Sequence, residues 1–320
     1  VIAYNNQNTI GQMLQSLSKT GIRHVQIAHG PSTDRTLEVI DDFVCDNPWM
    51  DIDVVDVPKI QAGSYGFDDA RNASIDGLEK DFSWVLWLDT DEFIVGSFMP
   101  YLRNNAFDSM AIHQHHFTCD PRGGPTQIDR PARLIRTDRN MKFCGKIHEH
   151  AEIGGVNGGP GYSYLLPHGD IFHTGYQNEA VRKERFLRNL PFLEWDRAVN
   201  PDRDLTKFLW LRDLVHMMRF ALQEQNHPKA MELAMEAVSH YNEHWKQIMK
   251  FGNGATAGFE YCSEARKVLG LGTPVANTIE LGDGRRMTFS GLIEHPDELT
   301  RLVEWVLNPE CEKDRKARGL

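Results

Sequence analysis

The sequence predicts an α/β fold in which a mainly parallel sheet is flanked by helices. A helical region with a small β-hairpin follows. Short apolar runs alternate with helix-period segments from Val1 to Phe93, a pattern that implies right-handed crossovers between parallel strands. Beyond Gly175 the apolar residues recur at every third and fourth position, the spacing of amphipathic helices. A chain of 320 residues also exceeds one comfortable core, so more than one domain is expected.

The predicted elements of the first part follow in order. A strand at residues 1–4 ends in Asn5-Asn6 and is followed by a helix through Ile10 and Leu17. A strand at residues 24–28 leads through a polar loop into a helix through Leu37 and Phe43. A strand at residues 51–57 and a helix that opens at Phe67 precede a fourth strand at residues 84–88. The polar loops should therefore converge at the carboxyl edge of the sheet, where open α/β sheets bind ligands.

The fourth strand carries the most informative signal, because its apolar run ends in Asp89, Asp91 and Glu92. Burying unpaired carboxylates is costly, so such a strand end needs something that neutralises the charge. A hard divalent cation fits, since Mg²⁺ binds through one or two carboxylates together with substrate phosphates. The alternative is a solvated turn after a core strand, because Asp-x-Asp by itself is common.

Several further motifs stand in a fixed order along the chain and together resemble the inverting family 2 glycosyltransferases of the GT-A fold. The last three resemble members with a helical, tetratricopeptide-like tail, and the likeness covers residues 1 to about 177. The matching segments are Ala3-Tyr4-Asn5-Asn6, Ser32-Thr33-Asp34-Arg35-Thr36, Ala70-Arg71-Asn72, Leu88-Asp89-Thr90-Asp91-Glu92, Arg133-Leu134-Ile135-Arg136, Phe143-Cys144-Gly145-Lys146-Ile147-His148-Glu149 and Ile171-Phe172-His173-Thr174-Gly175-Tyr176.

The resemblance implies a GT-A domain that transfers a sugar from a nucleoside-diphosphate sugar to an acceptor hydroxyl, with Mn²⁺ or Mg²⁺ as cofactor. Metal ligands would be Asp89, Asp91 and His173; the alternative for His173 is a polar cap on its strand. Arg71 would bind the diphosphate or orient the loop, and the alternative for it is a surface ion pair with Asp68 or Asp69. The implied nucleotide-sugar contacts are Ala3, Tyr4, Asn5, His29, Asp34, Arg71, Asp89 and His148.

Two departures from the family concern the donor. The loop Ala28-His29-Gly30-Pro31 lacks the acidic residue that the family uses to bind uracil, so His29 would have to pair with or stack on the base. Arg35 stands where the family prefers glycine, so that turn need not adopt a positive φ.

Inversion requires a base that deprotonates the acceptor on the face opposite the nucleotide. Glu149 is the first candidate for this base, and Asp120 and Glu152 are the alternatives. A strand at residues 109–118 places His113 and His115 on one face, which suggests either a zinc site or polar residues lining an acceptor groove. A loop at residues 120–125 follows as a lid or an acceptor-selecting element.

The composition and net charge of the chain limit the classes of binding partner that we expect. A net charge of −10 argues against a dominant nucleic-acid partner, and a saccharide or polypeptide acceptor ranks ahead of a modified nucleic-acid base. We expect no membrane span, because no segment approaches about 18 uninterrupted apolar residues. The five cysteines are odd in number and form no C-x-x-C pair, so we expect reduced thiols and a cytoplasmic location. The first residue is Val, so some native N-terminus is expected to be missing. Basic residues near the predicted acceptor groove favour nucleic acid locally; they are Arg122, Arg130, Arg133, Arg136, Arg139, Lys142 and Lys146.

Domain boundaries are predicted at 1–177 for the glycosyltransferase domain, 178–272 for a tetratricopeptide-like helical region and 273–320 for a hairpin with a terminal helix. The helical region would brace the first domain or form a homodimer contact. Two other functional classes remain open: a nucleotidyltransferase, which also uses strand-end carboxylates, and a catalytically inactive scaffold.

Overall fold

The computed structural model describes residues 1–78, 81–103, 107–118, 127–153, 156–157, 163–176, 179–250, 257–271, 276–280 and 286–290. Asp120 and the predicted terminal helix lie outside these residues. The chain divides into two compact units, the first comprising Val1–Glu184 and the second beginning at Arg185. The fold is mixed α/β.

Helices and strands alternate over the first 86 residues, the described residues from 92 to 176 contain strands but no α-helix, and helices predominate in the second unit. The helices are α1 (Ile10–Thr20), α2 (Thr36–Asp46), α3 (Phe67–Ala73), α4 (Glu179–Val199), α5 (Asp204–Gln223), α6 (His227–Ile248) and α7 (Ala257–Val268). The first eight strands are β1 (Ile2–Ala3), β2 (His24–His29), β3 (Asp51–Asp56), β4 (Trp84–Leu86), β5 (Glu92–Val95), β6 (Ser109–Ala111), β7 (Gln114–Thr118) and β8 (Gln127–Asp129). The remaining strands are β9 (Ala132–Arg136), β10 (Met141–Cys144), β11 (His150–Ile153), β12 (Val156–Asn157), β13 (Ser163–Leu165), β14 (Asp170–Tyr176), β15 (Ala276–Glu280) and β16 (Arg286–Ser290).

The sheet β1-β2-β3 is parallel, as predicted, and it sets the position of the acidic loop. Ile2 pairs with Ala28 of β2 on one side and forms a parallel bridge with Asp89 on the other. Apolar side chains of α1 and α2 pack on this sheet and form the core with residues of the later strands. Because parallel strands end at a common edge, the polar loops after β1 and β2 meet the acidic segment there.

The prediction of one mainly parallel sheet is wrong for the rest of the unit, where the described strands form small sheets that are mostly mixed or antiparallel. Their orders are β13-β6-β9-β4, β5-β14-β7-β8 and β10-β11-β12. The predicted strand at residues 109–118 breaks into β6 and β7, which belong to different sheets. At the break, the backbone N–H of Ile112 donates to Pro131 over 3.1 Å. Alternating hydrophobicity indicates which face a strand buries but not which neighbour it pairs with, which explains both errors.

In the second unit, α5 and α6 form an antiparallel pair. Trp210 of α5 donates to Glu236, and nearer the start of α5 Lys250 donates to Asp204. The side chain of Asn226 caps α6 by accepting from Lys229, so this residue starts the helix where the sequence predicted the turn. β15 and β16 pair antiparallel, which confirms the two strands of the predicted hairpin; the Gly-Asp-Gly turn lies outside the described residues.

His240 on α6 gives the second unit a predicted pH dependence. The side chain is buried and its Nε2 contacts the carbonyl of Lys207 at 2.8 Å. Desolvation lowers the pKa of His240 to about 4 from an ordinary 6.5. Between these values the unfolded chain binds a proton that the folded chain does not. The free energy of unfolding should therefore fall as pH drops from 6.5 towards 4, by about 1.4 kcal/mol per pH unit at most.

Denaturant titrations at pH 7 and pH 4.5 measure this effect. We expect His240→Gln, whose amide can still donate to Lys207, to lose less stability at pH 4.5 than the wild type. His227→Gln, at an exposed position, is the matched control and should behave as wild type. Equal losses in wild type and His240→Gln would show that another group causes the dependence.

Candidate active site

The loops after β1 and β2 are locked together by hydrogen bonds. Asn5, which has a φ of 53°, donates from its backbone to Ser32 over 3.0 Å and accepts from the backbone of Thr33 over 2.7 Å. The Asp34 carboxylate accepts from Gln7 and Thr36. Desolvation raises the pKa of Asp34, but these hydrogen bonds outweigh it and bring the pKa below its ordinary value. Asn5 and Asp34 therefore shape the loops in this structure.

Three of the predicted nucleotide contacts, Ala3, Tyr4 and His29, differ in how far their side chains are exposed to solvent. Ala3 is fully buried, whereas Tyr4 is partly exposed and has the ammonium of Lys59 5.6 Å from its ring centre. His29 is also buried: its Nε2 contacts Ser32 at 3.0 Å, and its Nδ1 lies 3.6 Å from Asp56. His29 is thus not open to a base in this conformation. The loop at residues 28–31 contains no carboxylate, but Asp56 at the end of β3 places one next to it.

Arg71 on α3 is 1% exposed and connects the acidic loop to the predicted base. It donates to Asp89 over 2.6 Å, to Glu149 over 3.0 and 3.3 Å, and to the carbonyl of Leu88 over 3.1 Å. Desolvation opposes ionisation of Asp89, but the charges of Arg71 and Arg133 outweigh it and lower its pKa. Arg71 thus orients two carboxylates from beneath the site.

The alternative assignment of Arg71, a surface ion pair with Asp68 or Asp69, is wrong. Those two carboxylates are bound by Lys146 at 3.1 and 3.0 Å. The sequence gave no signal for this exchange of partners, because Lys146 lies 78 and 77 residues from Asp68 and Asp69 in the chain.

Glu92 is buried below the acidic loop. The sequence showed it only as the third strand-end carboxylate and did not predict its contacts. It is 1% exposed, accepts from Arg133 over 2.6 Å and from Gln114, and its second oxygen accepts the backbone N–H of Asp89 over 2.9 Å. Desolvation raises the pKa of Glu92 to about 7 although the positive charge of Arg133 opposes this. The guanidinium of Arg133 also stacks 3.8 Å from the ring centre of Trp87. Together these contacts hold the backbone at Asp89.

Asp91 and His173, two of the predicted metal ligands, lie close together. Oδ2 of Asp91 lies 3.4 Å from Nε2 of His173, and the Asp91 carbonyl accepts two hydrogen bonds from Thr174 that fix its backbone. Two donors that share one cation at the usual bond lengths are separated by roughly 3.0–3.5 Å. The donor set therefore fits Mn²⁺ or Mg²⁺ with further ligands from a diphosphate and water.

Asp89, the third predicted ligand, does not form a three-ligand cluster with Asp91 and His173. One of its oxygens is bound by Arg71. Within the described part of the chain, the one cluster of three such ligand atoms is His24, Asp51 and Asp53. It lies at the amino ends of β2 and β3, far along those strands from the edge that carries Asp91.

The other candidate groups occupy distinct places. Glu149 has 11% side-chain exposure, and both hydrogen bonds from Arg71 reach its Oε1. His148 beside it has a φ of 49° and is partly exposed. Glu152 contacts His150 at 3.2 Å instead of the Arg71 cluster. Asp120 cannot be placed, as it falls outside the described residues.

His113 and His115 do converge, although the sequence offered no carboxylate at a useful offset. Both approach one oxygen of Asp170, at 3.8 and 3.6 Å respectively. Asp170 begins β14, which pairs with β7. The tertiary structure thus supplies an acidic partner, but the three ligand atoms are not mutually close enough to form a cluster.

The basic residues near the predicted acceptor groove do not form an open cationic surface. Arg133 and Arg136 are buried and paired with Glu92 and Asp138. Lys146 is bound by two carboxylates, as described above. Arg122 lies outside the described residues, and Arg130, Arg139 and Lys142 are exposed. Arg133, Arg136 and Lys146 are thus engaged in ion pairs within the fold, which weakens the local argument for a polyanionic acceptor.

In comparisons with known proteins, no family model and no curated protein sequence matched this chain. The helices of the described residues include none with the length and hydropathy needed to cross a membrane.

Proposed function

We propose that this protein is a metal-dependent inverting glycosyltransferase of the GT-A type, which moves a sugar from a nucleoside-diphosphate sugar to a saccharide or polypeptide hydroxyl. The observation that carries the proposal is the placement of Asp91 beside His173 at a sheet edge where Arg71 also holds Asp89 and Glu149. This combines a site for a cation with a pair of oriented carboxylates, as the motif resemblance implies.

The donor diphosphate would lie at this edge, with Asp91 and His173 holding Mn²⁺ or Mg²⁺. The cation supplies Lewis-acid stabilisation of the negative charge on the departing nucleoside diphosphate. Asp89, held by Arg71 and by the backbone contact to Glu92, would support the ribose or a water near the cation. Tyr4, with Lys59 and Asp56 nearby, would form the side of the site that receives the base.

The acceptor would approach from the side of Glu149. Oε1 of this carboxylate is bound by Arg71, so its other oxygen is the one to receive the acceptor proton. The fixed guanidinium prevents the carboxylate from rotating, so that the base is oriented before the substrate binds. His148, next to Glu149, would contact the diphosphate.

Incubation with pooled sugar nucleotides, Mn²⁺, and pooled oligosaccharides and peptides tests the proposal. We expect release of nucleoside diphosphate that depends on both acceptor and metal. A parallel incubation with pooled nucleoside triphosphates and sugar 1-phosphates tests the nucleotidyltransferase alternative, and release of pyrophosphate there would indicate nucleotidyl transfer. Absence of either product, together with tight binding of a protein partner, would support the scaffold alternative and contradict the proposal.

A further inference from the structure

A row of four side chains runs across the sheet β5-β14-β7-β8 and ends at the proposed cation site. Asp91 immediately precedes β5, His173 is on β14, His116 on β7 and Asp129 on β8. His173 and His116 are direct neighbours in the register of their strands. Three members of the row thus come from successive strands and Asp91 from the residue before a fourth strand, so the geometry of the row depends on the sheet itself.

Three short gaps join the four groups. Nε2 of His116 lies 3.1 Å from Oδ2 of Asp129, although the imidazole nitrogen is poorly aligned for an ideal hydrogen bond. Nδ1 of His116 and Nδ1 of His173 are 2.8 Å apart, and Nε2 of His173 lies 3.4 Å from Asp91. The His173 side chain is the least exposed of the four at 7%, and Asp129, at the far end of the row, is the most exposed at 49%.

The protons available in two neutral imidazoles cannot fill all three gaps. Each neutral ring carries one N–H, so two of the gaps hold a proton and the third is open to a further proton or to a metal ion. A carboxylate at each end accepts but does not donate when it is ionised. The gap beside Asp91 is the longest of the three, which makes it the one suited to a metal ion in place of a proton.

We propose that His116 and Asp129 are positioning residues that prepare His173 to bind the catalytic metal, an inference that rests on the proposed function. Asp129 accepts the proton on Nε2 of His116, which leaves Nδ1 of His116 as an acceptor. That nitrogen accepts the Nδ1 proton of His173. Nε2 of His173 then presents its lone pair to the cation beside Asp91, the tautomer that metal ligation requires.

In this arrangement His116 and Asp129 influence metal affinity through His173, although neither would contact the ion. Outer partners of a metal-bound histidine fix its ring orientation and raise its basicity, and their removal typically lowers metal affinity about 10–100-fold. His116 contacts His173 and Asp129, whereas His113 and His115 approach Asp170, so its role is separate from that pair.

The test is Mn²⁺ binding to the full chain, measured as loss of the free-ion electron paramagnetic resonance signal. Asp91→Asn defines binding at the proposed site. We expect His116→Phe, which keeps a ring but has no nitrogen, to bind Mn²⁺ about 10–100-fold more weakly than the wild type. His116→Asn places an amide oxygen near the position of Nδ1 and should restore much of the affinity. Asp129→Ala should weaken binding about tenfold.

Ile128→Thr is the matched control, because Ile128 is exposed on β8 beside Asp129 and should leave affinity unchanged. If a folded His116→Phe binds Mn²⁺ as the wild type does, the inference is overturned while the proposed function stands. If His116→Phe does not fold, unchanged affinity in Asp129→Ala overturns it equally. If wild type and Asp91→Asn bind alike, the metal assignment itself fails, and the inference fails with it.

Discussion

Replacing Asp91 with asparagine should lower kcat/KM for sugar transfer about 10³-fold, which corresponds to about 4 kcal/mol of transition-state stabilisation. Asp91 is the carboxylate that lies beside His173, and the amide that replaces it has no negative charge with which to hold a divalent cation. The loss should arise in the chemical step, since charge develops on the leaving diphosphate there. Initial rates with saturating Mn²⁺ and a single donor–acceptor pair measure the effect.

Asp53→Asn provides the matched control for this experiment. It makes the same chemical change in the cluster of His24, Asp51 and Asp53, where the Asp53 side chain is 60% exposed at the other end of the sheet. Activity in this variant should be unchanged. If Asp53→Asn loses activity and Asp91→Asn keeps it in the presence of a chelator, the metal mechanism at the carboxyl edge is wrong.

Replacing Arg71 with alanine should reduce the free energy of unfolding by about 3 kcal/mol. The substitution leaves Glu149 buried beside Asp89 without the guanidinium that compensates both charges, and it exposes the carbonyl of Leu88 to a void. This loss in the free energy of unfolding is at the lower end of the range expected for breaking a buried ion pair, because the Asp89 side chain is 45% exposed. Denaturant unfolding at pH 7 measures it.

Two further variants separate charge from geometry. Arg71→Lys keeps the charge but cannot donate to both carboxylates and the carbonyl at once, so it should recover only part of the stability. Arg35→Ala removes a surface ion pair with Glu38 in which both side chains are more than 60% exposed, and it should leave stability close to that of the wild type. Equal effects of Arg71→Ala and Arg35→Ala would contradict the buried-pair account.

The local pattern of apolar residues was sufficient to predict several helices and strands of the first unit. The apolar spacing of Ile10, Met13, Leu14 and Leu17 predicted α1, and the strand before His29 was predicted within one residue. The carboxylates after β4 could also be predicted to lie at a sheet edge, because parallel strands end together. Each of these features depends on residues close in sequence or on a general rule of sheet geometry.

Pairings between distant residues were not predictable in this way. The sequence indicated that Asp89, Asp91 and Glu149 carry the chemistry, but not that Arg71 joins two of them. It showed three histidines near residue 115 without revealing which faces Asp170 and which faces His173.

The sequence by itself therefore determined the alternation of elements, the acidic strand end and the class of chemistry to be proposed. Only the tertiary structure decided the partners: Arg71 with Glu149, Glu92 with Arg133, and His116 between His173 and Asp129. The physical reason is that hydrophobic periodicity specifies which face of an element is buried. The register between strands that are far apart in the chain specifies which polar groups meet, and that register is set by the packing of the whole unit.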